Sequence, residues 1–414
     1  MKQRLEPDPD LEALVRKLND QARDDDPSPD AVPMAPPAGL ASPTPRWTLT
    51  PPTEEGGAWL NDLLKRAREA FASDLLIVAG SPPVIRVNGR LEPLGNKALS
   101  DAATEMLCAS IVPVGSRVKL EDSGAADFSF SVPELGRFRC NVHRERGRWS
   151  AAVRVFPDAA PDLDELNLPG TLARFSELEH GFVLVTGPTG CGKSTTLAAL
   201  IGRILARRNV HVITIEDPVE YEHPHGDSVL EHIEIGRDVP SFPQALRSAL
   251  RQDPDVLLVG EMRDRESISI AITAAETGHL VLSTLHTGDA PQTISRILDS
   301  YPPSQIETVR AQISVSLAGI VSQQLLPRRD GEGRVPAVEI LVATPAVRNI
   351  IRRSKLEQLR SQLTLEASAG MLSLDTSLAQ LVRDGLVDQS EARTRARIPE
   401  EFDRYVRLGG PSIS

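Results

Sequence analysis

The spacing of apolar residues along this chain changes near Pro157, and the change divides it into two kinds of structure. Before it, Trp59, Leu60, Leu63, Leu64, Ala67 and Phe71 recur every three or four positions, which predicts an amphipathic helix. Short apolar runs follow near Leu75 to Val78, Val84 to Val87 and Phe128 to Val132, then at Arg137 to His143 and Ala151 to Phe156. Their length and β-branched content predict strands, and with the helix they describe a small α+β domain. After Pro157 the runs Gly181 to Val185, Val210 to Ile215, Val256 to Val259 and Leu280 to Thr284 are almost wholly apolar and separated by stretches of helical spacing. Strands buried on both faces have this character, so the expectation is a parallel α/β core covered by helices. Thr344 followed by Pro345 reads as a helix start, and small helices are expected from there to the end.

These patterns set the expected boundaries. Residues 1–57 are acidic and then proline-rich, with nine of the 33 prolines between Pro27 and Pro52, a composition that cannot bury a core and predicts disorder. Within this tail Leu11, Leu14, Val15 and Leu18 have helical spacing and could fold onto a partner, although the composition favours a solvated tail. The α+β domain spans 58–158, the α/β core 159–342 and the helical region 343–414, with the prolines and aspartates of Pro157 to Asp162 reading as a hinge.

The chemistry concentrates in GPTGCGKST: Gly187, Pro188, Thr189, Gly190, Cys191, Gly192, Lys193, Ser194 and Thr195. Three glycines let backbone N–H groups converge on an anion, and a helix N-terminus just beyond adds its positive dipole end. A strand before the loop and a helix after it satisfy the context such a phosphate loop requires, so the segment predicts ATP binding. Lys193 would reach the β- and γ-phosphates and Ser194 would hold Mg²⁺ through its hydroxyl.

In an open parallel sheet, ligands sit beyond the carboxyl ends of the strands. Four such ends carry reactive groups: Gly187, then Glu216 with Asp217, then Gly260 with Glu261, then His286. Glu261 is the expected carboxylate for orienting the attacking water. Glu216 and Glu220 are placed to hold the Mg²⁺ hydration shell or that water, and the spacing does not separate them. His286 would sense the γ-phosphate. His279 lies seven positions earlier, roughly 23 Å along an extended strand, so it reads as an interface or core histidine rather than a partner of His286. Phosphoryl transfer also calls for a second cation. Arg137, Arg139, Arg144, Arg146, Arg148 and Arg154 could supply one from a neighbouring subunit, and Arg139 and Arg154, in otherwise apolar strands, are the preferred pair. Cys191 reads first as a small residue that fits the loop; the alternative is a thiol activated by the helix N-terminus, whose oxidation would block ATP binding.

Charge and cysteine content narrow the partners. A balance of 46 basic against 57 acidic residues gives −11, and aromatics are 4%, which argues against a nucleic-acid motor with its basic groove and stacking rings. Three cysteines without a C-x-x-C pair exclude a zinc module and suit a cytoplasmic setting. No apolar run of membrane-spanning length occurs, so membrane association is expected only through partners.

From Trp59 to Phe402 the chain resembles the secretion-ATPase superfamily, and within it the PilT-type ATPases that retract type IV pili. The resemblance rests on Ala72 to Leu91, Gly136 to Val142, Gly187 to Leu200, Thr214 to Tyr221, Ala245 to Asp264 and Ala274 to Thr287, in that order. It implies a PAS-like N-terminal domain, a RecA-like P-loop ATPase core and a homo-hexamer docked on an inner-membrane platform protein at the cytoplasmic face of a pilus machine. A paralogous pilus ATPase is a further possible partner. It also implies catalysis by Glu261 and a His box containing both His279 and His286. Ala346 to Arg352 and Ala396 to Phe402 are similar to the C-terminal signatures of retraction ATPases. The alternatives are an accessory or regulatory nucleotide-binding paralogue, or another type II/IV secretion-type traffic ATPase.

Overall fold

A computed structural model describes residues 49–157 and 159–409, with the isolated positions Ala13, Arg16 and Asn19. The chain forms two units, Met1–Asp158 and Ala159–Ser414. The leucine and valine positions of the predicted tail helix lie outside the described residues.

The first unit is an antiparallel sheet with helices. Its strands are β1 (Asp74–Val78), β2 (Val84–Val87), β3 (Arg90–Pro93), β4 (Ala125–Val132), β5 (Gly136–Glu145) and β6 (Arg148–Val155), in the order β3-β2-β1-β6-β5-β4. Along β5 burial alternates, so Phe138, Cys140 and Val142 enter the core while Arg137, Arg139 and Asn141 face the other way. The helix Glu54–Glu69 packs Trp59, Leu60, Leu63, Leu64 and Ala67 into the same core.

Order starts earlier than the composition predicts. The helix begins at Glu54, not Trp59, because the Thr53 side chain accepts from the Gly56 N–H and Glu54 and Glu55 complement the helix dipole. Leu49 is buried in the core as well. Asn19 is also anchored: its amide donates to the Ala98 carbonyl at 2.9 Å and accepts from the Ser100 N–H at 2.8 Å. Within the described residues, order thus reaches back to Leu49, before the Trp59 start that the apolar pattern gives, since single polar anchors and caps leave no trace in such a pattern.

The second unit holds a seven-stranded sheet of β7 (Gly181–Thr186), β8 (His211–Glu216), β9 (Val229–Glu234), β10 (Val256–Val259), β11 (Leu280–Leu285), β12 (Leu317–Pro327) and β13 (Arg334–Val342). The order is β13-β12-β7-β11-β10-β8-β9, parallel throughout except for the antiparallel β12–β13 pair. Every residue of β7, β10 and β11 is buried, as a sheet covered on both faces requires. Register brings the carboxyl ends together: Thr186 faces Leu285, Ser283 faces Val259, and Val259 faces Ile215. The helices after Thr344 are not a separate layer of their own. Leu374, Leu378, Ala392 and Phe402 share a core with Leu326, Val335 and Ala337 of β12 and β13.

Candidate functional site

The loop Gly187 to Gly192 leaves β7 and enters the helix Lys193–Arg207. Its glycines are required by geometry. Gly187 has φ +145°, and a Cβ there would lie 2.3 Å from the Gln323 carbonyl oxygen and 2.6 Å from Cys191 Sγ. Gly192, at φ +91°, caps the helix with no side-chain bond of its own. The first turn thus keeps backbone N–H groups for an anion.

Lys193 is buried, and its ammonium donates to the carbonyls of Gly187 at 2.9 Å and Pro188 at 3.0 Å. Burial lowers its pKa from the ordinary lysine value, and the nearby Cys191, Glu220 and Glu261 oppose that shift. Ser194 lines a cavity of about 30 Å³ together with Thr214, Glu216, Tyr221, His223, His232, Gly260 and Thr284, large enough for a single water. Glu216 ends β8 and is 3.7 Å from His232 Nδ1, which also meets the Thr214 hydroxyl at 2.7 Å. Gly260 is a true close approach, since a Cβ there would lie 3.3 Å from the Glu216 backbone. Glu261, immediately after it, contacts Arg263 at 2.6 Å and His286 Nε2 at 3.6 Å.

The phosphate loop, Glu216, Glu220, Glu261 and His286 therefore belong to one edge of one sheet. His279 does not: it precedes β11, whereas His286 follows it, and its Nδ1 lies 3.0 Å from the Ala274 carbonyl at the end of the helix Arg265–Glu276. Arg139 and Arg154 lie in the first unit, directly opposite each other on β5 and β6, and Arg154 is 3.4 Å from Asp74. An activated thiol at Cys191 is not what the structure holds. The side chain is 3% exposed, and burial raises its pKa more than Lys193 and the backbone N–H groups lower it.

Several functional neighbours escaped the sequence reading. Gln323 of β12 is buried and bonded to both Cys191 and Thr196, and Tyr221 Oη meets the Thr195 hydroxyl at 2.9 Å. A polar Ser-Gln-Gln triplet inside the otherwise apolar run of β12 was the available signal for Gln323. Farther along the same edge, Arg397 contacts the buried carboxylate of Asp289 and is 3.6 Å from buried Glu339, while Arg360 reaches Asp289 at 3.2 Å. That network ties the C-terminal Ala396 to Phe402 segment to the loop that carries His286.

A strand, a glycine loop wrapped onto a helix N-terminus, and acidic strand ends beside it define a P-loop ATPase with a RecA-like core. The sequence profile of the family "Type II/IV secretion system protein" matches residues 151–392. The chain belongs to this secretion-ATPase family. It is 43% identical to the "Type IV pilus retractation ATPase PilT" of Pseudomonas aeruginosa over 343 residues, covering 83% of this chain and 99% of that one. It is 36% identical over 350 residues to the "Type IV pilus ATPase PilU" of the same organism, covering 84% and 92%. Among solved structures, the "Pilus Retraction Motor PilT and Bound ADP" aligns with a TM-score of 0.77 at 43% identity, covering 83% of this chain and 98% of that one.

Proposed function

We propose that this chain is an ATP-hydrolysing motor that drives type IV pilus retraction, and hence twitching motility, by removing pilin subunits at the pilus base. The observation that carries the reading is that Lys193, in a loop shaped for phosphates after β7, lies close enough to Glu261, at the same edge of the sheet after β10, for the two charges to interact. Loop N–H groups and Lys193 hold the β- and γ-phosphates, and Glu261 takes up and orients the proton of the attacking water.

The donor set suits Mg²⁺. This ion keeps several waters and seldom needs a cage of protein ligands, and no cluster of three or more histidines, cysteines or carboxylates exists among the described residues. Ser194 would supply one hydroxyl, and Glu216, on the same cavity, would accept from the ion's waters. When bound, the ion would supply positive charge to the phosphates, with Ser194 and Glu216 the residues that would hold it.

The charge left on the transferring group is matched by Arg139 and Arg154 of a neighbouring subunit in a homo-hexamer. No helix among the described residues is long and apolar enough to cross a membrane, so attachment to the inner-membrane face of the machine goes through a platform protein. A paralogous pilus ATPase is a second candidate partner.

The likeness to PilU supports a second reading, an accessory ATPase acting beside a main retraction motor. Deleting the gene in its own host and counting surface pili separates the readings: excess pili and lost twitching mean a retraction motor, bald cells mean extension, and normal pilation and motility mean an accessory role.

A further inference from the structure

The phosphate loop is not held by its own contacts alone, which are the bonds of Lys193 to the Gly187 and Pro188 carbonyls and of the Cys191 N–H to Pro188. Its last peptide, between Cys191 and Gly192, is also held from outside by a side chain of β12. Ser322 of that strand pairs with Thr186, the last residue of β7, so Gln323 comes level with the start of the loop. Its side chain is 3% exposed and both ends of the carboxamide are used. The nitrogen donates to the Cys191 carbonyl at 2.7 Å, and the oxygen accepts from the Thr196 hydroxyl at 2.8 Å. The orientation of the amide is unambiguous, because a carbonyl can only accept and so must face the nitrogen end. The loop also has no room to move toward β12: Cβ atoms added at Gly187 and Gly192 would fall 2.3 Å and 2.8 Å from atoms of Gln323.

Holding that one carbonyl has a directional effect. In a trans peptide the C=O and the following N–H point opposite ways. A Cys191 oxygen pinned toward β12 therefore turns the Gly192 N–H away from β12. We propose that Gln323 is a positioning residue for the nucleotide polyphosphate: it orients the Cys191–Gly192 peptide so that the loop meets its anion without first rearranging. The inference rests on the nucleotide-binding reading above. Because Gln323 acts on the loop and not on the reacting atoms, its loss weakens ADP and ATP binding alike and raises KM more than it lowers kcat.

The test uses the purified full-length chain, titrated with a fluorescent ADP analogue, with ATPase kinetics and melting followed in parallel. Gln323→Leu, which removes both bonds, is expected to raise Kd about tenfold, the effect of one lost hydrogen bond to a group that organises a charged ligand. Thr196→Val, which spares the bond to Cys191, is expected to change Kd less than about twofold. Gln323→Glu keeps the shape but donates to Cys191 only when protonated. Its Kd relative to the parent chain should be close to one in acid and climb as pH rises through the carboxyl titration. The rise of KM with kcat kept is the readout a merely structural role would not move, and the glutamate ratio stands even if the leucine variant fails to fold. A leucine variant with parental Kd, a valine variant as weak as the leucine one, or a flat glutamate ratio overturns the proposal. Failure of the parent chain to bind the analogue would instead overturn the nucleotide reading on which it rests.

Discussion

Arg263 sits 2.6 Å from Glu261, yet the two side chains differ sharply in exposure: 76% for the arginine and 17% for the glutamate. An ion pair so open to water contributes little, so the arginine is expected to matter less than the sheltered carboxylate proposed to orient the water. Glu261→Gln is therefore expected to lower kcat by at least about a thousandfold with nucleotide affinity kept within about threefold, while Arg263→Ala changes kcat less than about tenfold. Steady-state ATPase assays with a binding titration check the order.

Lys193 is expected to act on binding. Its ammonium donates to two loop carbonyls, within the loop whose phosphate ligand it is proposed to bind. Lys193→Ala should weaken ATP more than ADP, because the γ-phosphate is present only in ATP, with losses of about 2–3 kcal/mol for ATP. Calorimetric titration of both nucleotides measures the difference.

The trans arrangement has a clean genetic test. Arg139 and Arg154 stand opposite each other across β5 and β6, a like-charge pairing that is unfavourable unless something neutralises it. Asp74 contacts Arg154 and also Arg86 at 3.5 Å, so its single charge is shared. If the arginines serve a neighbour, mixed rings of Lys193→Ala and Arg154→Ala subunits regain turnover that neither variant shows alone. No regain in co-purified mixed rings removes the assignment.

Acid sensitivity should trace to His223. Burial, followed by the neighbouring His232, lowers its pKa from 6.5 to about 4. The unfolded chain then binds more protons than the folded one between those values, so stability is complete above about pH 6.5 and declines as pH falls toward 4. With allowance for its partial exposure the loss is on the order of 1–2 kcal/mol. In His223→Gln the slope of melting temperature against pH across this window should flatten.

Arg397 carries a structural prediction. Burial alone would raise the Asp289 carboxyl, but the Gln292 N–H and the guanidinium groups of Arg397 and Arg360 outweigh it and hold its pKa below the usual range. Glu339, more deeply enclosed, is raised by burial despite Arg397. Arg397→Ala leaves both carboxylates short of a partner and should destabilise the chain by about 3 kcal/mol, with Arg397→Lys recovering part of that. Denaturant melts measure it.

The parts of the molecule legible in the sequence are those where one residue pattern has one physical cause. The runs of β7, β10 and β11 are apolar because both faces are covered, and GPTGCGKST is glycine-rich because the loop folds against β12 and around an anion. β3, β9, β12 and β13 were less legible. Arg90–Pro93 is short and largely exposed, Val229–Glu234 alternates charges at a sheet edge, and the run Leu317–Pro327 is broken by Ser322, Gln323 and Gln324. Those polar breaks are where the strand meets the site. The positions of Tyr221, Gln323 and Arg397 depend on contacts across 26 to 132 residues of chain, which local spacing does not encode.

The placement of β12 beside β7 also orders events at the ribosome. The phosphate loop is synthesised early, but its outer support, Gln323, emerges only after β8, β9, β10 and β11. A nascent chain halted before that point has the glycine motif without its buttress, so on the proposal above nucleotide holds it less tightly and stabilises it less. The β7–β12 pairing is a long-range contact of the kind that slows folding, and ATP is predicted to stabilise chains complete beyond β12 more than shorter ones.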